Sequence, residues 1–280
     1  MTAGQSLSPM GRVLRHLVLM TGLVAMLGPF VVMLVTSFKP KAEIFAADFH
    51  LLPRQWGGGE NYLTALTQVP LLGFLLNGAI VSAAIFLLQV LVNVPAAYAL
   101  AKRRFRGRGV LFASVLVCLL IPYQAVALPI YILFFSAGLL NSYAALVLPF
   151  TISVFGIFLM RQFFIGIPDD LIDAARIDGM SEYRIVWSVM APSAMPALVA
   201  FGIFSLIAHW NDYFWPLIAV SNEELFTPPL GIAFLKLNGE GTAYGPLMAA
   251  ATIVITPLML AFLVAQRRFI EGITFTGLKG

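Results

Sequence analysis

Six apolar runs, each long enough to cross a bilayer, decide what this 280-residue chain can fold into. They lie at about 13–38, 71–101, 110–135, 142–164, 194–220 and 246–265; a helical crossing takes about 20 apolar residues. Hydrocarbon offers the backbone no hydrogen-bond partner, so each run must satisfy its own amides and carbonyls as a helix. A β-barrel would instead show short segments of alternating polarity, and these runs do not alternate. Only 11% of the residues are charged, against about a quarter in soluble domains. The predicted fold is an all-α integral membrane protein, a single domain over 1–280 with six transmembrane helices. Arg12 and Arg15 precede the first run much as basic residues open a signal peptide. That run is too long for a signal's apolar core and lacks a small-x-small cleavage site, so it reads as an uncleaved span. Cys118 lies alone inside an apolar run, which excludes a disulfide framework.

The links between the runs differ in charge. Of the seventeen Lys and Arg residues, thirteen fall on one side: Arg12, Arg15, the five of the "KRRFRGRG" link, Arg161, Arg176, Arg184, Arg267, Arg268 and Lys279. Lys39, Lys41, Arg54 and Lys236 fall on the other. The positive-inside rule then puts both termini and the 166–193 loop in the cytoplasm of a multi-pass membrane protein. A net charge of +4 can signal nucleic acid, but this topological bias accounts for the excess. Membrane lipid is therefore the expected surrounding, and no nucleic acid is expected. The run 102–108 reads as a topology anchor ahead of a lipid-headgroup or nucleic-acid patch. The two longer links on the opposite side are rich in Gly, Pro and polar residues, as solvated connections are.

Between the fourth and fifth runs stands "GIPDDLIDAARIDGMSEYRIVWSVMAPSAMPAL". Pro168 followed by Asp169 and Asp170 is a helix start, a fixed φ and then carboxylates able to cap free amides and face the positive dipole end. Leu171, Ile172, Ala174, Ala175 and Ile177 carry the helix to Gly179, which supplies a left-handed stop. Ser181 can cap a second helix that holds Tyr183, Ile185, Val186 and Trp187 and ends before Pro192. The two alanines let another surface come close, Leu171 and Ile172 offer apolar contact, and Asp173, Arg176 and Asp178 give polar edges. So short a helix is not stable alone. It must pack on headgroups, on its own bundle or on another protein.

The order Asp173, Ala174, Ala175, then Asp178 and Gly179, with Pro192 and Pro196 beyond, resembles the EAA motif of permease subunits in binding-protein-dependent ABC importers. "TSFKPKAEIF", "LNGAIVS", "AAYALAKRRFRGRG", "IPYQAVALPIYILF", "GLLNSYAALVLPF", "HWNDYFWPL" and "QRRFIEGITFTGLKG" resemble the carbohydrate branch, and within it the smaller six-span permease of the maltose-transporter type. Two positions depart from the pattern: Asp173 stands where Glu is usual, and Met180 where Ala is usual. The resemblance implies a type I ABC importer permease fold with a cytoplasmic coupling helix that docks on an ATPase. The coupling residues would be Leu171, Asp173, Ala174, Ala175, Arg176, Asp178, Gly179 and Met180. The implied partners are two ATP-binding subunits, a second permease as heterodimer partner and an extracytoplasmic solute-binding protein. ATP and Mg would sit on the ATPase, leaving this chain with no cofactor, metal or catalytic role. The implied setting is a prokaryotic inner membrane, and the implied cargo is a sugar or sugar-like solute. No G-x-x-x-x-G-K-[ST] phosphate loop occurs in the sequence.

Polar residues inside the runs are the remaining candidates. Asp212 in "IAHWNDYFWPL" would cost about 2.5–3.5 kcal/mol at a helix centre, so His209, Asn211 and Asp212 are expected to face the bundle interior or a wet path. Trp210, Tyr213 and Trp215 suit either stacking on a sugar ring or a packing network and aromatic belt. Asn77 and Ser82, and Gln124 between Pro122 and Pro129, suit helix bending better than ligand contact. Gln89 and Asn93, at i and i+4, suit interhelical hydrogen bonds. The translocation-path candidates are thus His209, Trp210, Asn211, Asp212, Asn77 and Gln124. An ion-coupled secondary transporter would need paired intramembrane ionisable residues or inverted repeats, for which His209 with Asp212 is thin support. An intramembrane enzyme would need a nucleophile–base pair or metal spacing that is missing. The tail 274–280 reads as a frayed end or, by the resemblance, as an arm reaching the ATPase dimer interface.

Overall fold

A computed structural model describes residues 9–48, 50–238 and 243–277. All regular structure among them is helical: α1 (Pro9–Thr36), α2 (Lys41–Ile44), α3 (Gly58–Thr67), α4 (Leu71–Lys102), α5 (Arg108–Cys118), α6 (Tyr123–Ser136), α7 (Tyr143–Val147), α8 (Val154–Ile165), α9 (Asp169–Ile177), α10 (Glu182–Ile185), α11 (Ala191–Ser193), α12 (Met195–Trp210), α13 (Phe214–Ala219), α14 (Pro228–Asn238) and α15 (Tyr244–Gly277). Short 3-10 turns at Leu148–Phe150 and Glu223–Leu225 and a π turn at Val186–Met190 join some of them.

Among the described residues, three helices are individually long and apolar enough to cross a membrane: α1, α4 and the Tyr244–Leu263 part of α15. Three bent pairs pass the same test together. α5 and α6 meet at 101°, Tyr143–Phe150 meets α8 at 41°, and Glu182–Ser193 meets α12 at 82°. The expected third run, 110–135, is therefore broken, because Pro122 has no amide to continue the ladder and takes an extended ψ of 133°. The expected fifth run, 194–220, is also broken: α12 stops at Trp210, and α13 begins at Phe214. Of the two readings of the tail, the frayed end does not hold as far as Gly277, where α15 ends; residues 278–280 lie outside the described ones.

The chain divides into two compact units. In the unit formed by 1–69 and 234–255, α1 has no buried residue. The link after it is built, not merely solvated. Asn61 is buried and donates through Nδ2 to the carbonyls of Ser37 and Lys39 at 2.9 and 2.8 Å. Phe38 stacks on Trp56 with centroids 4.8 Å apart, and the Glu43 carboxylate accepts the amides of Arg54 and Gln55.

In the unit formed by 70–233 and 256–280, α4, α8 and α12 pack together. Gly156 on α8 permits the approach: a Cβ there would stand 2.6 Å from the Phe201 ring of α12 and 2.7 Å from Asn93 Nδ2 of α4. Gln89 and Asn93 do bond between elements. Gln89 Nε2 donates to the Phe150 carbonyl (2.9 Å), its Oε1 accepts from Ser205 Oγ (2.6 Å), and Asn93 Oδ1 accepts from the Ser153 amide (3.2 Å). The later link, expected to be solvated, instead tucks Phe226, Thr227 and Leu230 into the interior. Gly231 makes room there for Phe74, whose ring lies where a Cβ would project.

Candidate functional site

The 166–193 loop folds as a two-helix peg at the end of α4. At its start, neither Asp169 nor Asp170 caps α9. Asp169 Oδ1 instead receives Lys102 Nζ at 2.6 Å, and the same ammonium donates to the Ile167 carbonyl at 2.5 Å. The expected caps are displaced by a stronger donor, a cation whose side chain is only 7% exposed and needs anionic partners. Both carboxylates still occupy the first turn, where the helix dipole favours them. The Lys102 ammonium, through its hydrogen bond and its charge, holds the Asp169 carboxyl below its usual range.

Gly179 ends α9 in the left-handed region at φ 78°, as its place in the sequence predicts. Its amide donates to the Arg176 carbonyl and that of Met180 to the Ala175 carbonyl, each at 3.0 Å. Ser181 Oγ then accepts the Arg184 amide at 3.3 Å and opens α10. Glu182, the next residue, is the hub of the loop. Its Oε2 accepts the Tyr98 hydroxyl at 2.6 Å, and its Oε1 accepts Arg103 Nη1 at 2.6 Å and Arg176 Nε at 3.0 Å. Arg176 Nη1 also donates to Asp173 Oδ1 at 2.9 Å. Burial opposes ionisation of Glu182, but the Tyr98 hydroxyl and the two guanidiniums together keep its carboxyl below the usual value. Sequence reasoning missed Glu182, Tyr98, Lys102 and Arg103 as loop residues. The available signal was a lone carboxylate directly after a helix-capping serine, with a basic run at the end of a neighbouring span.

The two faces of α9 have different uses. Ile172 and Ala175, three residues apart and so on one face, are buried in a cluster with Val94, Tyr98, Phe164, Ile185 and Met190, and Met180 packs against it. Of the surfaces left open for Ile172 and the two alanines, its own bundle takes Ile172 and Ala175, and Ala175 is small enough for α9 to lie close on it. The outward stripe is Leu171, Ala174 and Ile177, again at intervals of three; Ile177 is 86% exposed. Asp173, Arg176 and Asp178 border it, and Tyr183, also exposed, follows on α10.

The second helix does not end before Pro192, as expected, but continues to Ser193. The turn Val186–Met190 widens to π geometry, and the Ala191 amide reaches back to the Val186 carbonyl. Such a turn relieves the clash a proline ring otherwise makes with the carbonyl four residues earlier. The bend comes at Ala194 instead.

The fold engages the path candidates in different ways. Asn77 is engaged within the chain on both sides of its amide: Nδ2 donates to the carbonyls of Glu224 and Phe226 at 2.7 and 3.0 Å, and Oδ1 accepts the Tyr143 hydroxyl at 2.6 Å. His209 sits against Phe150, centroids 4.8 Å apart, with Nε2 3.3 Å from Gln89 Nε2. Trp210 is buried at the end of α12, and Asn211 Nδ2 folds back onto the Ile207 carbonyl at 2.8 Å. Asp212 is no longer mid-helix: its Oδ1 accepts the amides of Phe214 and Trp215 at 3.0 and 3.3 Å and caps α13. Trp215 cannot stack on a ligand, being fully buried with Nε1 donating to the Ala145 carbonyl at 2.8 Å. Gln124 is exposed beside a crevice of about 380 Å³ that Tyr131 and Phe214 also line.

The family described as "Binding-protein-dependent transport system inner membrane component" matches residues 93–274, which include the whole peg. An arabinooligosaccharides transport system permease, AraQ of Halalkalibacterium halodurans, is 34% identical over 254 residues, covering 90% of this chain and 91% of the relative. The sn-glycerol-3-phosphate transport system permease UgpE of Escherichia coli is 32% identical over 268 residues, covering 92% and 94%. Among solved structures, a chain of a bacterial ABC transporter involved in import of the acidic polysaccharide alginate superposes with a TM-score of 0.83 at 25% identity, covering 94% of this chain and 99% of that one. Another, from a bacterial alginate ABC transporter in complex with an alginate pentasaccharide-bound periplasmic protein, shares the fold at TM-score 0.63 and 15% identity. With the match spanning the peg and the helices that hold it, this chain belongs to the inner membrane components of binding-protein-dependent transport systems, the permease subunits of ABC importers.

Proposed function

We propose that the chain is the smaller permease of an ATP-driven importer for a sugar or sugar-derived solute, with six spans and both termini in the cytoplasm of a prokaryotic inner membrane. The observation that carries the reading is the peg. One face of α9 is sunk into the bundle and tied by Lys102, Arg103 and Tyr98, while Leu171, Ala174 and Ile177 face outward, uncovered by the described residues. A helix anchored on one face and apolar on the other suits docking in a cleft of a second protein. Because the sequence has no phosphate loop of its own, that protein is an ATPase that binds ATP and Mg, present in two copies. A second permease and an extracytoplasmic receptor complete the assembly.

The cargo class follows from the relatives' names. An arabino-oligosaccharide, glycerol 3-phosphate and alginate share dense hydroxyl groups, two of the three being also anionic. Of the path candidates, Gln124 keeps an amide free for such a hydroxyl. His209 and Asp212 are engaged separately within the chain, so proton coupling through that pair gains no support. The test is mild-detergent purification of tagged full-length chain followed by ATPase assay. Co-elution of a nucleotide-hydrolysing subunit, lost when Ala174 and Ile177 are both changed to Asp, is the expected result. A lone chain that transports on a proton gradient overturns the reading.

A further inference from the structure

The basic run 102–108 does more than bias topology. Lys102, Arg103, Arg104 and Arg176 face an open notch of about 420 Å³ at the end of α4, together with only two carboxylates, Asp169 and Asp173. The cations fall into two groups. Lys102 is paired with Asp169, Arg103 with Glu182, and Arg176 with Asp173 and Glu182. Among the described residues neither Arg104 nor the neighbouring Arg106, both exposed, makes an ion-pair contact, though the charge of Arg104 acts on Asp169. The paired cations are held in place at the rim, and the charge in surplus is that of the unpaired ones.

The same segment turns apolar at once. Phe105 is exposed within the run, and α5 opens with Val110 and Leu111 outward, 72% and 53% exposed. A basic notch followed directly by an apolar flank matches a ligand with an anionic head and hydrocarbon behind it. A free phosphate ion would satisfy the guanidinium but leave the flank without a partner.

We propose that this notch seats the phosphate headgroup of an anionic membrane lipid, with Arg104 as its chief donor and the exposed start of α5 against the acyl chains. Because Arg103 and Arg176 also hold Glu182, such a lipid lies one residue from the peg's hub. The proposal goes beyond the importer reading and does not depend on ATPase docking.

Native mass spectrometry on the full-length chain, purified with whatever subunits accompany it, tests this. The probe is an equal mixture of phosphatidylglycerol and phosphatidylcholine. Wild type should retain phosphatidylglycerol preferentially. Arg104→Gln should reduce that retention about fivefold, the effect of one cation beside an anionic surface, whereas Arg54→Gln in the other compact unit should leave it unchanged. Should Arg104→Gln lower protein yield, Arg104→Lys keeps the charge and must keep the lipid. Equal retention of both lipids, or enrichment indifferent to Arg104, overturns the proposal. Displacement of the lipid by millimolar inorganic phosphate, with Arg104-dependent phosphate binding in lipid-free detergent, would also overturn it by making the ligand a free ion.

Discussion

Replacing Gly179 by valine loads the peg at a joint whose cost can be worked out from the backbone alone. A Cβ on Gly179 would meet nothing within 4 Å, so no clash contributes. What remains is the left-handed conformation itself, φ 78°. For a β-branched residue this costs about 1–3 kcal/mol; asparagine, which visits the region readily, costs least. Opposing that penalty are the two bonds that close the joint, from the amides of Gly179 and Met180, worth about 0.5–1.5 kcal/mol each. Penalty and restraint are therefore of one size. In the valine variant a large share of molecules should lose the fixed angle between α9 and α10 while the rest of the bundle keeps its packing.

The assay is ATP-driven uptake of the cognate solute by cells carrying the variants, normalised to the amount of chain in the membrane fraction. Membrane levels should stay near wild type for Gly179→Asn, Gly179→Ala and Gly179→Val. Uptake should fall in that order, with valine losing most of it. Wild-type uptake in the valine variant would refute the claim that the joint's angle matters. Equal damage by asparagine and valine would refute the attribution to backbone conformation.

Ala175→Leu should destabilise the bundle by about 1–3 kcal/mol through overpacking and lower the detergent half-life; Ala174→Leu, on the exposed face, should leave stability alone and cut uptake. Glu182→Gln removes the charge shared by Arg103 and Arg176 and should cost about 0.4–2 kcal/mol, a value for two partly exposed pairs, read as faster proteolysis of the loop in inverted vesicles. Because Lys102 holds the Asp169 carboxyl below its usual value, that contact stabilises fully above about pH 4. It is lost as pH falls through the lowered folded-state value. Protease access at the start of α9 should therefore rise only in that acid range, and Asp169→Asn should abolish the step.

What the sequence makes legible is whatever rests on local chemistry. Gly179 needs no neighbour to be read as a left-handed stop, and Ser181 caps the helix that its own hydroxyl begins. Contacts at long separation were hidden. Tyr98 and Glu182 stand 84 positions apart, and Lys102 and Asp169 stand 67 apart; nothing in either local pattern marks the partner. A capping rule misassigns Asp169 for that reason, since it considers only the nearby amides. Hydropathy likewise sees length and not direction. The runs 110–135 and 194–220 are apolar throughout, yet the chain bends by 101° at Pro122 and the helix breaks at the Asn211–Asp212 pair, where the average shows no interruption.

The joints of the peg have unlike mechanics, and that bears on how a displacement of α9 would travel. At Gly179 the turn is open, held by two backbone bonds and by side chains at the surface. Beyond it, Glu182–Ser193 runs on without a break for twelve residues' length of helix, and Ile185, Val186, Met190 and Ala191 bury one side of it in the cluster that also holds Ala175 and Ile172. The bend of 82° comes only at Ala194, itself fully buried. Pro192 could have ended the rod early, and the π turn before it prevents that. A push on the outer stripe of α9 is therefore resisted by a packed rod whose far end adjoins α12. Were the helix to stop before Pro192, the same push would meet slack chain there and reach α12 only through the cluster that Ile172 and Ala175 share with Ala197 and Leu198.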